Sequence, residues 1–178
     1  MRPIVHLAGC GSRPTEDLPN FASALRASGW NPYVVPTPVG RRFLDADRAE
    51  KCSGNVVHQE FDPDNPVELP RAHVVVVAPA TFNTIIKLAA GVADTLPLAV
   101  AAEAIGAGLP VVCVPWANAD LARHPLYAPA LRTLDTWGVH LVEADQAEPF
   151  PWHLLSDHLE QIRSKFAHST LNSTRREP

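Results

Sequence analysis

The chain has 178 residues, of which 46% are apolar and 19% are charged, and its formal net charge is −4. This length favours one domain, and the apolar fraction is ordinary for a globular protein. Nucleic-acid grooves and anionic membrane surfaces attract clustered Lys and Arg, so the acidic balance of this sequence argues against both as partners.

Three cysteines, Cys10, Cys52 and Cys113, are widely spaced and form no C-x-x-C pair. An odd number at this spacing argues against a disulfide framework and a zinc site, so we expect no metal and a reducing, cytoplasmic setting. The longest apolar region, 96–114, is interrupted by Glu103 and by two prolines. Because a membrane span needs about 20 nearly uninterrupted apolar residues, we expect no such span.

Short apolar runs alternate with segments of helical periodicity. The runs predict strands at 4–8, 32–36, 55–61, 73–77, 110–114 and 139–142. The periodic segments predict helices at 15–28, 83–94, 98–107, 125–137 and 152–166, with another that carries Phe43 after the second strand. Strands of nearly continuous Val, Ile and Leu that alternate with helices are typical of a parallel sheet covered on both faces. The sequence therefore predicts one α/β domain over 1–166, followed by a polar tail at 167–178 without regular structure.

The loops that follow the first two strands are candidate ligand sites, since ligands of parallel sheets bind beyond the carboxyl ends of the strands. The loop Gly9-Cys10-Gly11-Ser12 precedes a helix, and its glycines permit close approach of the backbone to a phosphate. The next loop offers the Thr37 hydroxyl to a phosphate or sugar, and Phe43 offers a ring to a planar cofactor. Each loop also has a purely structural interpretation. The first could be only a tight turn between strand and helix, and the second only a turn beside a phenylalanine of the core.

Two later loops carry more polar side chains than a turn requires. Pro79-Ala80-Thr81-Phe82-Asn83-Thr84 groups hydroxyl and amide side chains where a single N-cap would suffice, with Asp94 about three turns further on. Asp94 could equally be a surface acid. After the fifth predicted strand, Asn118 and Asp120 are suited to contact a carboxylate or amide of a substrate, or one of them simply caps a helix.

Together these loops resemble the homo-oligomeric flavin-containing cysteine decarboxylases, a family that includes phosphopantothenoylcysteine decarboxylases and the peptidyl-cysteine decarboxylases of lanthipeptide biosynthesis. The family motif P-A-S-A-N-T is similar to Pro79–Thr84, and the helix motif I-x-K-I-A-x-G-I-x-D-N-L resembles Ile85–Leu96. The substrate-clamp motif P-x-M-N-x-x-M-W, followed by x-H-P, resembles Pro115–Pro125, and L-x-x-W-G-V resembles Leu134–Val139.

The resemblance implies a Rossmann-like, flavodoxin-type three-layer fold that binds FMN at a subunit interface of a homo-trimer or homo-dodecamer. It implies that Thr37 and the glycine loop hold the phosphate end and that Phe43 lies near the flavin. The cofactor-binding residues that it implies are Gly9, Gly11, Ser12, Thr37, Phe43, Ala80, Thr81, Asn83, Thr84 and Asp94.

The reaction implied is oxidative decarboxylation of a cysteine-like substrate, either a peptide or a small molecule. The flavin takes two electrons from the thiol-bearing carbon, and the thioaldehyde then loses CO₂ because an enethiolate stabilises the negative charge. Asn118 would hold the carboxylate. The family's basic histidine, in an H-[IV]-x-L context, corresponds here to Pro66, so that either His58 or no residue of the chain would act as the base.

Two other functions stay open. A flavin-binding protein without decarboxylase activity, acting as a regulatory or partner subunit or in another flavin-dependent reaction, is favoured by Pro66 and by the altered clamp residues Ala117 and Leu121-Ala122. Decarboxylation is favoured by the retained Asn118 and His124-Pro125. A nucleotide-binding domain for another cofactor is disfavoured, since the sequence has no G-x-G-x-x-G and no ribose-binding acid after its second strand.

Overall fold

Strands and helices alternate along most of the chain. A computed structural model describes residues 2–58, 60, 69–146 and 148–173, with side chains as far as residue 166. The strands are β1 (Ile4–Ala8), β2 (Asn31–Val34), β3 (Val74–Ala80), β4 (Val111–Pro115) and β5 (His140–Leu141). The α-helices are α1 (Leu18–Ala27), α2 (Ala46–Ser53), α3 (Phe82–Ala89), α4 (Leu96–Gly106), α5 (Ala119–Ala122), α6 (Tyr127–Thr136) and α7 (Trp152–Ser173). Short 3₁₀ helices span Arg13–Asp17 and Gly40–Arg42.

The five strands form a parallel sheet in the order β2-β1-β3-β4-β5. All seven residues of the central strand β3 are buried, which explains its nearly unbroken run of valine. The chain leaves β1 toward β2 on one side and later returns to β3 on the other side. The loops after β1 and β3 therefore diverge at a topological switch point, where parallel sheets form a ligand crevice.

Alternate side chains of the strands pack into two cores. Val5, Leu7 and Val76 face α1, α2 and α7, whereas Val75 and Val77 face α3, α4 and α6. The sheet is thus the middle of three layers. This arrangement confirms the predicted Rossmann-like, flavodoxin-type α/β fold.

The strand predicted at 55–61 is wrong for its described part, because residues 55–58 lie outside the sheet. The side-chain nitrogen of Asn55 donates to the carbonyl oxygen of Pro32 at 2.8 Å and so occupies an acceptor at the edge of β2. A single backbone bond follows, from the N–H of His58 to the carbonyl oxygen of Val34 at 3.1 Å. Residues 61–68 lie outside the described part of the chain.

The helix predicted around Phe43 is also displaced. Phe43 ends the 3₁₀ helix Gly40–Arg42, and α2 begins only at Ala46, where the Asp45 carboxylate accepts the Arg48 N–H at 3.0 Å. At the other end of the chain α7 continues beyond Phe166 to Ser173, so residues 167–173 of the predicted tail are helical. Residues 174–178 lie outside it.

Neither a membrane span nor a metal cluster is found in the described part of the chain. None of its helices combines the length and apolar character that crossing a bilayer requires. None of its groups of three or more His, Cys, Asp or Glu side chains is arranged to hold a metal ion.

Candidate functional site

A cleft of about 570 Å³ opens at the carboxyl ends of the strands. It draws residues from the loops after β1, β2, β3 and β4, which the parallel sheet brings to one edge. We call it the strand-end cleft. Its lining residues are Gly11, Ser12, Thr37, Pro38, Val39, Thr81, Phe82, Asn83, Thr84, Lys87, Thr95, Leu98, Trp116, Ala117, Asn118, Leu121 and Gln146.

The loops after β1 and β2 interlock at one end of this cleft. The carbonyl oxygen of Gly9 accepts the Thr37 N–H at 2.9 Å, and the Thr37 hydroxyl accepts the Gly40 N–H at 2.9 Å. A Cβ at Gly40 would overlap the carbonyl oxygen of Gly9, so this close approach requires glycine. Thr37 lines the cleft, but its hydroxyl already holds the two loops together, and Gly9 lies behind the cleft as part of that support.

Gly11 and Ser12 are half-buried and line the same end of the cleft. A Cβ at Gly11 would overlap the side chain of Val39, so glycine lets the two loops pack while the cleft stays open. The Ser12 hydroxyl makes no capping bond to the 3₁₀ helix that follows, which leaves it directed to other partners. Three exposed arginines, Arg13, Arg41 and Arg42, come directly after these loop segments.

The loop after β3 supplies a polar wall. The hydroxyl oxygens of Thr81 and Thr84 lie 3.3 Å apart, and Asn83 is exposed beside them. The helix α3 begins at Phe82, so Asn83 and Thr84 lie within its first turn, and its N-cap residue Thr81 makes no side-chain capping bond. Cys10 is fully buried behind the wall, and burial raises the pKa of its thiol to about 11. Cys10 is therefore a protonated packing residue.

Thr95 contributes a buried hydroxyl that lacks a hydrogen-bond partner among the described residues. Thr95 precedes α4 and lines the cleft opposite the interlocked loops. A buried hydroxyl without a partner is unfavourable. A ligand that offers a donor or acceptor at this position would satisfy it.

Lys87 brings a positive charge to the wall formed by α3. Its ammonium lies 2.6 Å from the Asp94 carboxylate, and both side chains are about half exposed. Lys87 lines the cleft whereas Asp94 does not. Within the single chain Asp94 therefore contacts a lysine of the wall, and its predicted contact with the flavin stays a prediction.

Asn118 and Trp116 lie on the wall that follows β4. The Asn118 side-chain oxygen accepts the Leu121 N–H at 2.9 Å and caps the short helix α5. Its amide nitrogen, a donor, has no hydrogen-bond partner within the described ranges and lies on the cleft wall. Asn118 therefore combines the capping role with a donor suited to a carboxylate.

The indole of Trp116 begins a chain of aromatic rings that runs from the cleft wall into the core. Its centroid lies 5.1 Å from that of Phe150, which lies 4.5 Å from Trp152. Trp152 in turn packs 4.8 Å from Phe21 on α1. The cleft wall is thereby fixed to the helices of the opposite layer.

Two predicted residues lie outside the cleft. His58 packs against the Tyr33 ring at 6.0 Å, beside the edge strand β2, and partial burial lowers its pKa. Phe43 is half-buried at the end of the 3₁₀ helix. Within one chain, neither residue reaches the space that a ligand of the cleft would occupy.

Comparison with known proteins agrees with this architecture. The family model described as Flavoprotein matches residues 2–165. The chain belongs to the Flavoprotein family. This match confirms the family predicted from the loop motifs.

Among its relatives in the Flavoprotein family is the bifunctional coenzyme A biosynthesis protein CoaBC of Mycolicibacterium smegmatis. The two are 33% identical over 124 residues, which cover 67% of this chain and 29% of the relative. The chain therefore spans under a third of that protein's length.

Solved structures of this family share the fold. A cysteine-to-serine variant of PPC decarboxylase complexed with pantothenoylaminoethenethiol has 26% identity and a TM-score of 0.65, with 80% of this chain and 82% of that chain covered. The FMN binding protein AtHal3 has 26% identity and a TM-score of 0.65, with 80% of each chain covered.

In this member of the Flavoprotein family, the cleft unites most of the predicted site residues. Gly11, Ser12, Thr37, Thr81, Asn83, Thr84 and Asn118 line it, whereas Gly9, Ala80, Phe43, Asp94 and His58 do not. Ala80 is fully buried at the end of β3.

Sequence reasoning missed Lys87, Thr95 and Gln146 as cleft residues. Lys87 and Thr95 belong to the helix motif that carried the resemblance, so their place in that motif was an available signal. Gln146 lies in an irregular segment after β5, and no pattern in its neighbourhood indicated a site.

Proposed function

We propose that the strand-end cleft binds FMN. The observation that carries the proposal is the polarity of the cleft: a glycine- and arginine-flanked end at β1 and β2, and a wall of hydroxyl and amide groups along α3. This pattern suits a phosphate tail and a flat ring with hydrogen-bonding edges. The volume of about 570 Å³ falls in the range of about 300–1,000 Å³ that is usual for cofactor sites.

The residues present fit this cofactor at several positions. The backbone of Gly11 and the Ser12 hydroxyl would bind the phosphate, with Thr37 fixing the loop from behind. Thr81, Asn83 and Thr84 would bind the polar edge of the ring or the ribityl chain. Thr95, whose buried hydroxyl lacks a partner in the described structure, would gain one from the cofactor.

The reaction that we propose is oxidative decarboxylation of a cysteine-like substrate. Bound FMN would supply the two-electron acceptor. The side-chain amide of Asn118 would donate to the substrate carboxylate and hold it on the wall that follows β4, while its oxygen keeps α5 capped. Trp116 would exclude water on the same side, since its ring is held by Phe150.

The proposed reaction needs a proton acceptor, and the cleft of a single chain offers few candidates among its described lining residues. Among the described residues that line the cleft, Lys87 is the sole titratable side chain, and it is paired with Asp94. Pro66, at the position of the family's histidine, lies outside the described residues. His58 would act as the base only in the cleft of a neighbouring subunit, and we propose it in that role within a homo-trimer or homo-dodecamer.

A second candidate is a flavin-binding protein without decarboxylase activity, either a partner subunit or a catalyst of another flavin-dependent reaction. It is favoured by the lack of a histidine or carboxylate in the described lining of the cleft. Loss of a general base costs about 10²–10⁴-fold in rate. For both candidates we propose a cytoplasmic setting, because all three cysteines are unpaired.

Cofactor binding is tested by titrating the purified chain with FMN and recording the quenching of flavin fluorescence. We expect saturation at one FMN per chain and a yellow protein. Ser12→Ala should weaken binding, whereas Gly106→Ala, at a site with open space around it, should leave binding unchanged. A colourless protein that quenches no FMN fluorescence would refute the proposal.

The reaction is tested on the FMN-loaded protein with peptides that end in cysteine. Mass spectrometry should detect loss of CO₂ together with two hydrogens from the peptide. Saturable FMN binding without product would favour the second candidate. The variant His58→Gln is then compared with the unaltered protein. Light scattering shows whether the oligomer still assembles, and a lower rate in an assembled oligomer would indicate loss of a base.

A further inference from the structure

A second cavity, of about 460 Å³, lies on the face of the sheet that α4 covers. It shares no lining residue with the strand-end cleft, and it includes Ala72 and Leu109, which come just before β3 and β4. We call it the α4 cavity. Its volume also falls in the range of about 300–1,000 Å³ that is usual for small-molecule sites. The α4 cavity is therefore large enough to hold a small ligand of its own.

A buried histidine with a partnerless nitrogen lines the α4 cavity. His6 of β1 pairs with Val75 of β3, and both residues line the cavity. His6 is only 3% exposed. Its Nε2–H donates to the carbonyl oxygen of Pro70 at 2.9 Å, whereas its Nδ1 has no hydrogen-bond partner among the described residues.

The protonation of His6 defines what its free nitrogen requires. Burial lowers the pKa of His6 to about 4, so the ring is neutral at pH 7. Because the one proton of the neutral ring lies on Nε2, Nδ1 is an acceptor. Buried acceptors are normally satisfied, so this one indicates a ligand that offers an N–H or O–H donor.

One face of α4 gives the cavity an apolar wall with a single charge. Residues at helical spacing, Ala99, Val100, Glu103 and Ala104, line the cavity together. Glu103 is the one charged residue of α4, and its side chain is exposed. Its carboxylate therefore attracts a cation to a surface that is otherwise apolar.

The segment that leads into β3 brings a charge of the opposite sign. Arg71 is exposed and lines the cavity, and it follows Pro70, which is held by His6. On its other side, the N–H of His73 donates to the carbonyl oxygen of Ile4 at 2.8 Å. Neither Arg71 nor Glu103 takes part in an ion pair with another described residue. The two charges can therefore pair with two different groups of one ligand.

We propose that the α4 cavity binds a free amino acid with an apolar side chain, such as leucine. The ammonium donates to the Glu103 carboxylate and to Nδ1 of His6, and the carboxylate accepts from the Arg71 guanidinium. The apolar side chain packs on Val100 and Leu109. A ligand with the ammonium alone would leave Arg71 unpaired, and one with the carboxylate alone would leave Nδ1 of His6 unsatisfied. This site goes beyond the proposed function, because it lies apart from the strand-end cleft.

Isothermal calorimetry with L-leucine tests the site on the purified full chain, with and without FMN. Three analogues each lack one feature of leucine: 3-methylbutylamine lacks the carboxylate, 4-methylpentanoate lacks the ammonium, and glycine lacks the apolar side chain. We expect saturation at one leucine per chain, and a Kd at least about tenfold higher for each analogue.

Matched variants locate the binding. Glu103→Gln and Arg71→Gln should each raise the Kd for leucine about tenfold, because each removes one charge that pairs with the ligand. Glu16→Gln and Arg132→Gln make the same two changes at exposed positions outside the cavity and should leave the Kd unchanged.

The ¹⁵N resonance of His6 gives a readout that needs no variant. Leucine should shift the Nδ1 signal upfield as this nitrogen gains a donor, and glycine at the same concentration should not. An unchanged Nδ1 signal in protein that binds leucine would overturn the site, because binding would then take place elsewhere.

Three calorimetric results would also overturn the site: no saturable binding of leucine, an analogue that binds as tightly as leucine, or control variants that weaken binding as much as Glu103→Gln and Arg71→Gln do. FMN binding is recorded separately by fluorescence. A failure of the proposed function is thereby distinguished from a failure of the amino-acid site.

Discussion

The ammonium of Lys87 and the carboxylate of Asp94 lie 2.6 Å apart, and of the two only Lys87 reaches the strand-end cleft. Gly91, between them, has a φ of 71° and ends α3, which lets the chain turn back so that residues seven positions apart meet. The pair therefore places a lysine on the wall of the cleft with its carboxylate partner outside the lining.

We predict that removal of the lysine charge affects FMN more than removal of the carboxylate. Lys87→Met should raise the Kd for FMN about tenfold at low ionic strength, because it removes a positive charge from a cleft that we propose holds an anionic cofactor. Asp94→Asn should change the Kd less than about threefold, since the pair is half exposed and weak in itself. Fluorescence titration measures both, and a larger effect of Asp94→Asn would mean that Asp94 contacts the cofactor itself.

A second prediction concerns the interlocked loops. Gly40→Ala should lower the free energy of unfolding by about 1–3 kcal/mol, because the new methyl group meets the backbone carbonyl of Gly9, which cannot rotate away. Gly106→Ala is the matched control. Nothing lies within 4 Å of its added methyl group, and alanine is the better helix former, so stability should hold or rise by up to about 1 kcal/mol. Denaturant unfolding compares the two variants.

The double role of Asn118 allows its binding function to be separated from its structural one. Asn118→Asp keeps the acceptor that caps α5 but places a negative charge where a substrate carboxylate would bind. We expect near-normal stability and a loss of kcat/KM of about 30-fold or more. Asn118→Ala should lose activity and also about 1 kcal/mol of stability through the missing cap. An active Asn118→Asp variant would show that the substrate carboxylate lies elsewhere.

A fourth prediction concerns acid sensitivity. His6 is buried in β1, its Nε2–H donates to the carbonyl oxygen of Pro70 at 2.9 Å, and burial lowers its pKa from 6.5 to about 4. The unfolded chain therefore binds a proton at a higher pH than the folded chain does, and stability is lost as the pH falls from about 6.5 to 4. The loss attributable to His6 is about 3 kcal/mol.

Denaturant unfolding at pH 7 and pH 4 checks this expectation. In His6→Gln, which retains a side-chain donor for Pro70, the difference in stability between the two pH values should shrink. His153→Gln, at an exposed position of α7, should behave as the unaltered protein does. An unchanged pH dependence in His6→Gln would assign the acid sensitivity to other groups.

The parts of the fold that follow from local sequence were predictable. A run such as Val74–Val77 specifies a strand buried on both faces, and the run of small and polar residues after it specifies where the cleft lies. The turn after β1 was predictable as well, because glycines between a strand and a helix permit the close backbone approach that a tight turn requires.

Features that depend on long-range contacts were not predictable. Asn55 has the neighbours of a strand residue, but its side chain bonds to Pro32, 23 residues away, and this prevents a sixth strand in the described chain. The hydroxyl of Thr95 becomes buried without a partner only once α4 is packed on the sheet. Contacts between residues far apart in the chain leave no periodic pattern in the sequence.

The row of rings from Trp116 through Phe150 and Trp152 to Phe21 has a mechanical consequence. It packs one side of the strand-end cleft against α1 and the start of α7. Trp152→Ala should therefore loosen the wall that carries Asn118, whereas the loops after β1 and β2, which are joined by their own hydrogen bonds, should keep their geometry.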